Sequence, residues 1–356
     1  MSNPVSLWLA LPVETLDLVV ECLPRKELLA VIKTNTLFHR IAARVLYRSV
    51  SKLEPIQAIL LVKTLAHNDF YPSFVRHIEL KWSDNTLTAN LLRLLNRALR
   101  RLKHLLHLTL EFSTNDNASN VASVLWGCAF SLKNFETSMC CGSTLVRFLE
   151  TQNSITDLCL QGANTIDTLP LPPNALPHLS HFRTVLSPPA MVANFIRGRP
   201  IESVSMTLYP GDSRSSLDVL LLSSRRVRRL IVMSFGAAQP IILFKDISAR
   251  LPWLEALHVV LLSEGYTHML LFEMKPSLSR FESLKYLTFM ASGAQTSVDF
   301  EGAVAALWHK ACPTLETIIL PRGVIWALTD GKWVCTSFLF LLHQVNIVIY
   351  QTDIRC

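Results

Sequence analysis

Between residues 12 and 48, apolar side chains return at helical spacing in three short runs. Leu16, Val19, Val20 and Leu23 make the first. Pro12 suits its first helical position, because the missing N–H is one that a helix start leaves unpaired. Glu14 then lies in the first turn, where the helix dipole favours an anion. Pro24 ends the run, since a helix interior would lose a hydrogen bond and clash with its ring. Arg25 to Ile32 resume it with Leu28, Leu29 and Ile32. Thr36 is a suitable N-cap for a third helix. There Phe38, Ile41, Ala42, Val45 and Leu46 fall on one stripe. A unit of about 40 residues buries little surface by itself. Its surplus apolar residues are expected to meet either the rest of the chain or a partner.

From residue 75 the pattern changes to an apolar residue, two others, an apolar residue, one other, an apolar residue. It occurs at Val75-Ile78-Leu80, Leu105-Leu108-Leu110, Ile155-Leu158-Leu160, Val227-Leu230-Val232, Leu254-Leu257-Val259, Leu284-Leu287-Phe289 and Leu315-Ile318-Leu320. Weaker copies are Leu132-Phe135, Leu179-Phe182 and Ile201-Val204-Met206. The copies begin at 75, 105, 132, 155, 179, 201, 227, 254, 284 and 315, in steps of 22 to 31 residues. Leucine-rich repeats step by about 20–29 residues. The longest steps therefore imply loop insertions. Helical segments are expected between copies at 91–102, 121–129, 144–150, 190–197, 244–250 and 301–311. A strand followed by a helix cannot bury its faces one unit at a time, whereas stacked units share a continuous core. The expected fold is thus α/β, a curved leucine-rich-repeat solenoid preceded by a small three-helix module. The family's Asn or Cys after the third apolar position is missing from most copies. Gly331-Lys332-Trp333-Val334 suggests a turn and a strand, and Val345 to Tyr350 a last strand, together capping the end.

Composition fits this picture. Half of the residues are hydrophobic and 17% are charged, which argues against disorder. No run of 18 apolar residues occurs, so no transmembrane helix is expected. The opening MSNPVSLWLALPVETL lacks a basic n-region and a small-residue cleavage site, so no signal peptide is expected. Eight cysteines without a CxxC pair suggest reduced thiols and a cytoplasmic or nuclear setting. The net charge of +7 is modest for 356 residues and does not call for nucleic acid.

The N-terminal stretch also resembles an F-box. The likeness rests on Leu11-Pro12-x-Glu14-x-Leu16, the Glu27-Leu28-Leu29 turn and the close from Phe38 to Leu46-Tyr47-Arg48. It departs from the family in the polar run Thr34-Asn35-Thr36 before the third helix. An F-box first and degenerate leucine-rich repeats after is an arrangement similar to many F-box proteins of mushroom-forming fungi. The resemblance implies that residues 8–50 dock onto the adaptor subunit of an SCF-type ubiquitin ligase and, through it, the cullin. It assigns adaptor contacts to Leu11, Pro12, Leu16, Leu28 and Leu29. Residues 51–74 would then be a linker helix region, 75–322 a solenoid of about ten units and 323–356 a C-terminal cap. The implied function is substrate recognition, with no reacting group, cofactor, metal, nucleic acid or membrane. A non-ligase interaction scaffold is the alternative.

In a repeat of this kind the strand residues that flank the buried ones point outward. The early copies offer polar positions, among them Glu79, Glu111 and Glu136. The later ones offer Arg229, Met233, Tyr286 and Met290. These seven are the candidate contacts for an unknown protein substrate.

Three other groupings invite chemistry. Cys141 to Arg147 fits C-x5-R, a phosphate-cradling spacing that needs a thiol of lowered pKa, but the usual central Gly is Thr144. His104-x-x-His107 and His178-x-x-His181 lack the further ligands a structural metal site requires. Arg225-Arg226-Val227-Arg228-Arg229 is the densest basic run, with Val227 at an inward position of the repeat. It is expected to be a solvated or substrate-facing patch.

Overall fold

The computed structural model describes residues 12–82, 87–113, 121–162, 170–185, 187–208, 213–234, 240–262, 268–291 and 296–336. The chain divides into two compact units, 1–179 and 180–356. Each is mixed α/β with a mainly parallel sheet.

The first unit opens with α1 (Val13–Glu21), α2 (Arg25–Val31) and α3 (Thr36–Arg48). Leu16, Val20, Leu28, Ile41 and Ala42 form their shared core. Pro12 is the residue before α1, one position earlier than expected. Likewise Asn35, not Thr36, caps α3: its side chain accepts from the Phe38 N–H at 2.9 Å. Two ion pairs, Asp17–Arg44 and Glu21–Arg48, tie α1 to α3.

Helix α3 runs directly into β1 (Ser49–Val50), whose Val50 is buried. There follow α4 (Pro55–His67), β2 (His77–Trp82), α5 (Ala89–Leu99), β3 (His107–Phe112), β4 (Asn134–Thr137), α6 (Ser143–Glu150) and β5 (Asp157–Leu160). All five strands are parallel to their neighbours. The helix expected at 121–129 is instead a single 3-10 turn, Ala122–Leu125. Asn96 of α5 holds the chain there by donating to the carbonyls of Val124 and Trp126.

The second unit contains β6 (His181–Thr184), α7 (Pro189–Ile196), β7 (Ser203–Leu208), α8 (Ser213–Leu220), β8 (Arg229–Ser234) and α9 (Pro240–Arg250). It continues with β9 (Ala256–Leu261), α10 (His268–Glu273), α11 (Lys275–Leu278), β10 (Tyr286–Ala291), α12 (Val298–Ala311) and β11 (Thr317–Ile319). Strands β6 to β11 are parallel. β12 (Ile325–Thr329) and β13 (Lys332–Thr336) then reverse direction as an antiparallel hairpin. Its two-residue turn, Asp330-Gly331, has positive φ at both positions, the geometry that suits strand twist. Gly302 of α12 makes room for Trp326, whose ring lies where a Cβ would be. The expected strand at Val345 to Tyr350 lies outside the described residues.

The inward register is as expected. Each apolar position named above for the ten copies is no more than 2% exposed. A second periodic feature accompanies it at the strand starts. The carbonyl of Arg76 accepts from the N–H groups of both Leu106 and His107, and Leu106 and Lys133 repeat the arrangement. Ser180, Glu202, Arg228, Glu255 and Lys285 do the same in the second unit. The doubled bonds satisfy backbone donors that loops would otherwise leave unpaired.

Candidate protein-binding surfaces

Along α1 only Leu16 and Val20 turn inward. Leu16 is 2% exposed and Leu28 5%, both inside the bundle core. The expectation that these two meet a partner is therefore corrected: the small bundle needs them for its own interior. Leu11 lies outside the described residues. Pro12 and Leu29 are exposed. Val13 and Leu18, the latter 66% exposed, join them without having been singled out from the sequence. So does Val19, which the helical run had grouped with Leu16 and Val20. Helix α4 adds Ile56, Ile59 and Leu60. Its run Pro55-Ile56-Gln57-Ala58-Ile59-Leu60-Leu61-Val62 is apolar on more than one side, and that was the available signal. One face packs inward through Ala58, Val62 and Leu65, which leaves the others unused. Leu29, Leu46, Tyr47, Leu53 and Leu60 line an open cleft of about 570 Å³ with Arg25 at its rim.

The outward strand positions form rows, because parallel strands in register place equivalent residues side by side. In the first unit one row is Glu79, Thr109, Glu136 and Cys159. Its acidity is partly neutralised. Lys81 bridges Glu79 at 2.9 Å and Glu111 at 3.7 Å, and Gln161 donates to Glu136 at 2.5 Å. Burial alone would lower the Lys81 pKa, but the Glu79 hydrogen bond and the charges of Glu79, Glu111 and Glu136 outweigh it and raise it. At the strand starts His77 and His107 meet edge to face. Burial, then the neighbouring His107, lowers the His77 pKa.

In the second unit three rows run across β7 to β10. Ser203, Arg229, Ala256 and Tyr286 make the first, and Ser205, Ile231, His258 and Thr288 the second. The third is Thr207, Met233, Val260 and Met290. Met233, Tyr286 and Met290 are half-buried, not fully displayed, because neighbouring rows shield them. His258 binds Thr288 Oγ1 at 2.8 Å. Its ring is enclosed although the residue keeps some surface. Burial, then the Arg229 charge, pushes its pKa down to about 4. The unit thus presents a short apolar row beside a neutral histidine.

The candidate chemistry fares differently. Cys141 is buried, and burial pushes its thiol pKa up to about 11, opposite to what a thiolate nucleophile requires. No cluster of three or more metal-ligating side chains occurs among the described residues. No helix among them is long and apolar enough to cross a membrane. The basic run at 225–229 enters β8 with Val227 buried and its arginines exposed. Comparison with known proteins adds no assignment: no family model matches the chain, and no curated protein is significantly similar to it.

Proposed function

We propose that the chain is a substrate-recognition subunit of an SCF-type cullin ubiquitin ligase, in which an F-box docks the adaptor and a leucine-rich-repeat solenoid holds the target. The observation that carries this reading is the unequal use of apolar residues in the helical bundle. Leu16, Val20 and Leu28 close the bundle, while Val13, Leu18, Val19 and Leu29 remain as a surface large for so small a unit. Such a surface marks a contact site. The stacked parallel strands, with their in-register outward rows, suit a receptor for a protein segment. In this role the chain supplies proximity, which accelerates a reaction between other components without a reacting group of its own.

The test is co-purification of the full chain with adaptor and cullin, alongside the double substitution Leu18→Asp, Leu29→Asp. The wild type should retain both components and the variant neither, at unchanged thermal stability. Adaptor without cullin would favour a non-ligase scaffold. Neither component with wild type would overturn the proposal.

A further inference from the structure

After the neutral Ser180, the residues whose carbonyls carry the doubled hydrogen bonds in the second unit alternate in charge: Glu202, Arg228, Glu255 and Lys285, followed by Glu316. Arg228 pairs with Glu255 at 3.3 Å, Lys285 with Glu316 at 3.6 Å, and Arg225 with Glu202 at 2.6 Å. Arg226 differs. Among the described residues it has no carboxylate partner. Its guanidinium lies over the Trp253 ring, 5.1 Å from the centroid. That ring is fixed in turn, because Trp253 Nε1 donates to the Val227 carbonyl at 3.1 Å and Val227 is a core residue. Arg225, Arg226, Arg228, Trp253, Glu202 and Glu255 surround an open cavity of about 350 Å³, completed by Ser283.

We propose that this cavity takes the carboxylate side chain of an acidic segment on a partner protein. Three guanidinium groups and two carboxylates line it, which leaves one positive charge over. A single carboxylate neutralises that charge. A phosphoryl group, with a charge of about −1.5 to −2, would face Glu202 and Glu255 with excess negative charge. An arginine braced on an aromatic face keeps its planar fork oriented, and that fork matches a carboxylate through two parallel hydrogen bonds. The neighbouring pairs are exposed, so they are weak and can exchange partners when a ligand arrives. Trp253 offers an apolar wall to the ligand's methylene stem. The site lies at the strand starts, one residue ahead of the first outward row, and does not depend on the helical bundle docking an adaptor.

The experiment is fluorescence anisotropy with the full purified chain and labelled peptides: one rich in Asp and Glu, its Asn/Gln counterpart and a phosphoserine version. The acidic peptide should bind about tenfold more tightly than the amide version, and Arg226→Ala should remove that advantage. Arg226→Lys should restore only part of it, because charge returns without the planar fork. Arg97→Ala, on α5 of the other unit, should change nothing. Equal binding of the acidic and amide peptides would overturn the proposal. So would equal losses in the Arg97 and Arg226 variants, which would indicate non-specific charge attraction. Tighter binding of the phosphoserine peptide would overturn the monoanion assignment. A single-stranded RNA that displaces the acidic peptide and binds more tightly would assign the cavity to nucleic acid.

Discussion

In the strands, the inward side chains of every repeat are almost completely buried; in α1, Leu16 and Val20 are buried while Val13, Leu18 and Val19 stay in solvent. Both regions are rich in the same residue types, so composition does not explain the contrast. A strand residue such as Leu257 is flanked in register by Leu230 and Leu287, each inward on its own strand. Every repeat therefore covers its neighbour. The three short helices mainly have one another, and their core is five buried residues with partly buried ones around it. An apolar residue beyond that number has no interior to enter. The repeats are built to be self-sufficient, and the bundle is left with surface.

Four comparisons, by substitution or titration, would break or sharpen this contrast. The largest effect is expected for Leu257→Ala, which removes a side chain that facing repeats cannot collapse upon; the loss should be about 2–5 kcal/mol. Urea unfolding followed by far-UV circular dichroism measures it, and a loss under 1 kcal/mol would show that the repeats are loosely packed.

Acid titration comes next. His258 is held neutral in the fold, with its pKa pushed down to about 4, whereas an unfolded histidine titrates near 6.5. Its contribution is complete above the unfolded value and is lost as pH falls from about 6.5 towards 4, because the unfolded chain takes up the proton first. The loss is of order 3 kcal/mol at most. Stability measured across that window should flatten in His258→Gln; an unchanged slope would place the acid sensitivity elsewhere, for example at His77, whose pKa is lowered in the same sense.

A smaller change is expected in the bundle. Asn35→Ala removes the α3 cap and should cost about 1 kcal/mol. Thr36→Ala should be nearly neutral, since the cap lies one residue earlier. A larger effect for Thr36 would reverse that assignment. The smallest effect on stability belongs to Leu18→Asp, which exchanges one exposed side chain for another and should stay within about 0.5 kcal/mol. A loss of several kcal/mol would mean that this face is already covered within the chain.

The strands could be read along the sequence because side-chain alternation is a local property. Once Leu108 and Leu110 face inward, His107, Thr109 and Glu111 must face outward, and the positions expected to line the rows do so. The final turn was legible in part: Gly331 marked it and Lys332 to Val334 form strand as expected, while Asp330 completes the turn. The helix expected near residue 125 was not. Val121, Val124 and Leu125 are buried as a helix face would be, yet Asn96 pins the carbonyls that helical hydrogen bonds would use. The candidate surfaces were legible only in part. Glu79, Glu111 and Glu136 were recognisable as outward-facing, but the Lys81–Glu111 pair and the hydrogen bond from Gln161 to Glu136 depend on neighbouring strands.

Sequence alone determined which strand residues point inward, because a period of two leaves no choice once one inward residue is known; that Cys159, Thr207 and Ala256 of the outward rows are also buried came from their neighbours. It also marked the three helical runs at residues 12–48. Tertiary structure decided which apolar side chains of those helices are interior, since a helix stripe is wider than the contact made by two crossing helices. It likewise decided that, among the described residues, Arg226 packs on an aromatic ring while Arg225 and Arg228 pair with carboxylates. Glu202 and Glu255 belong to neighbouring repeats and come beside Arg225 and Arg228 only when the strands align, and Trp253, brought in by the same stacking, takes Arg226.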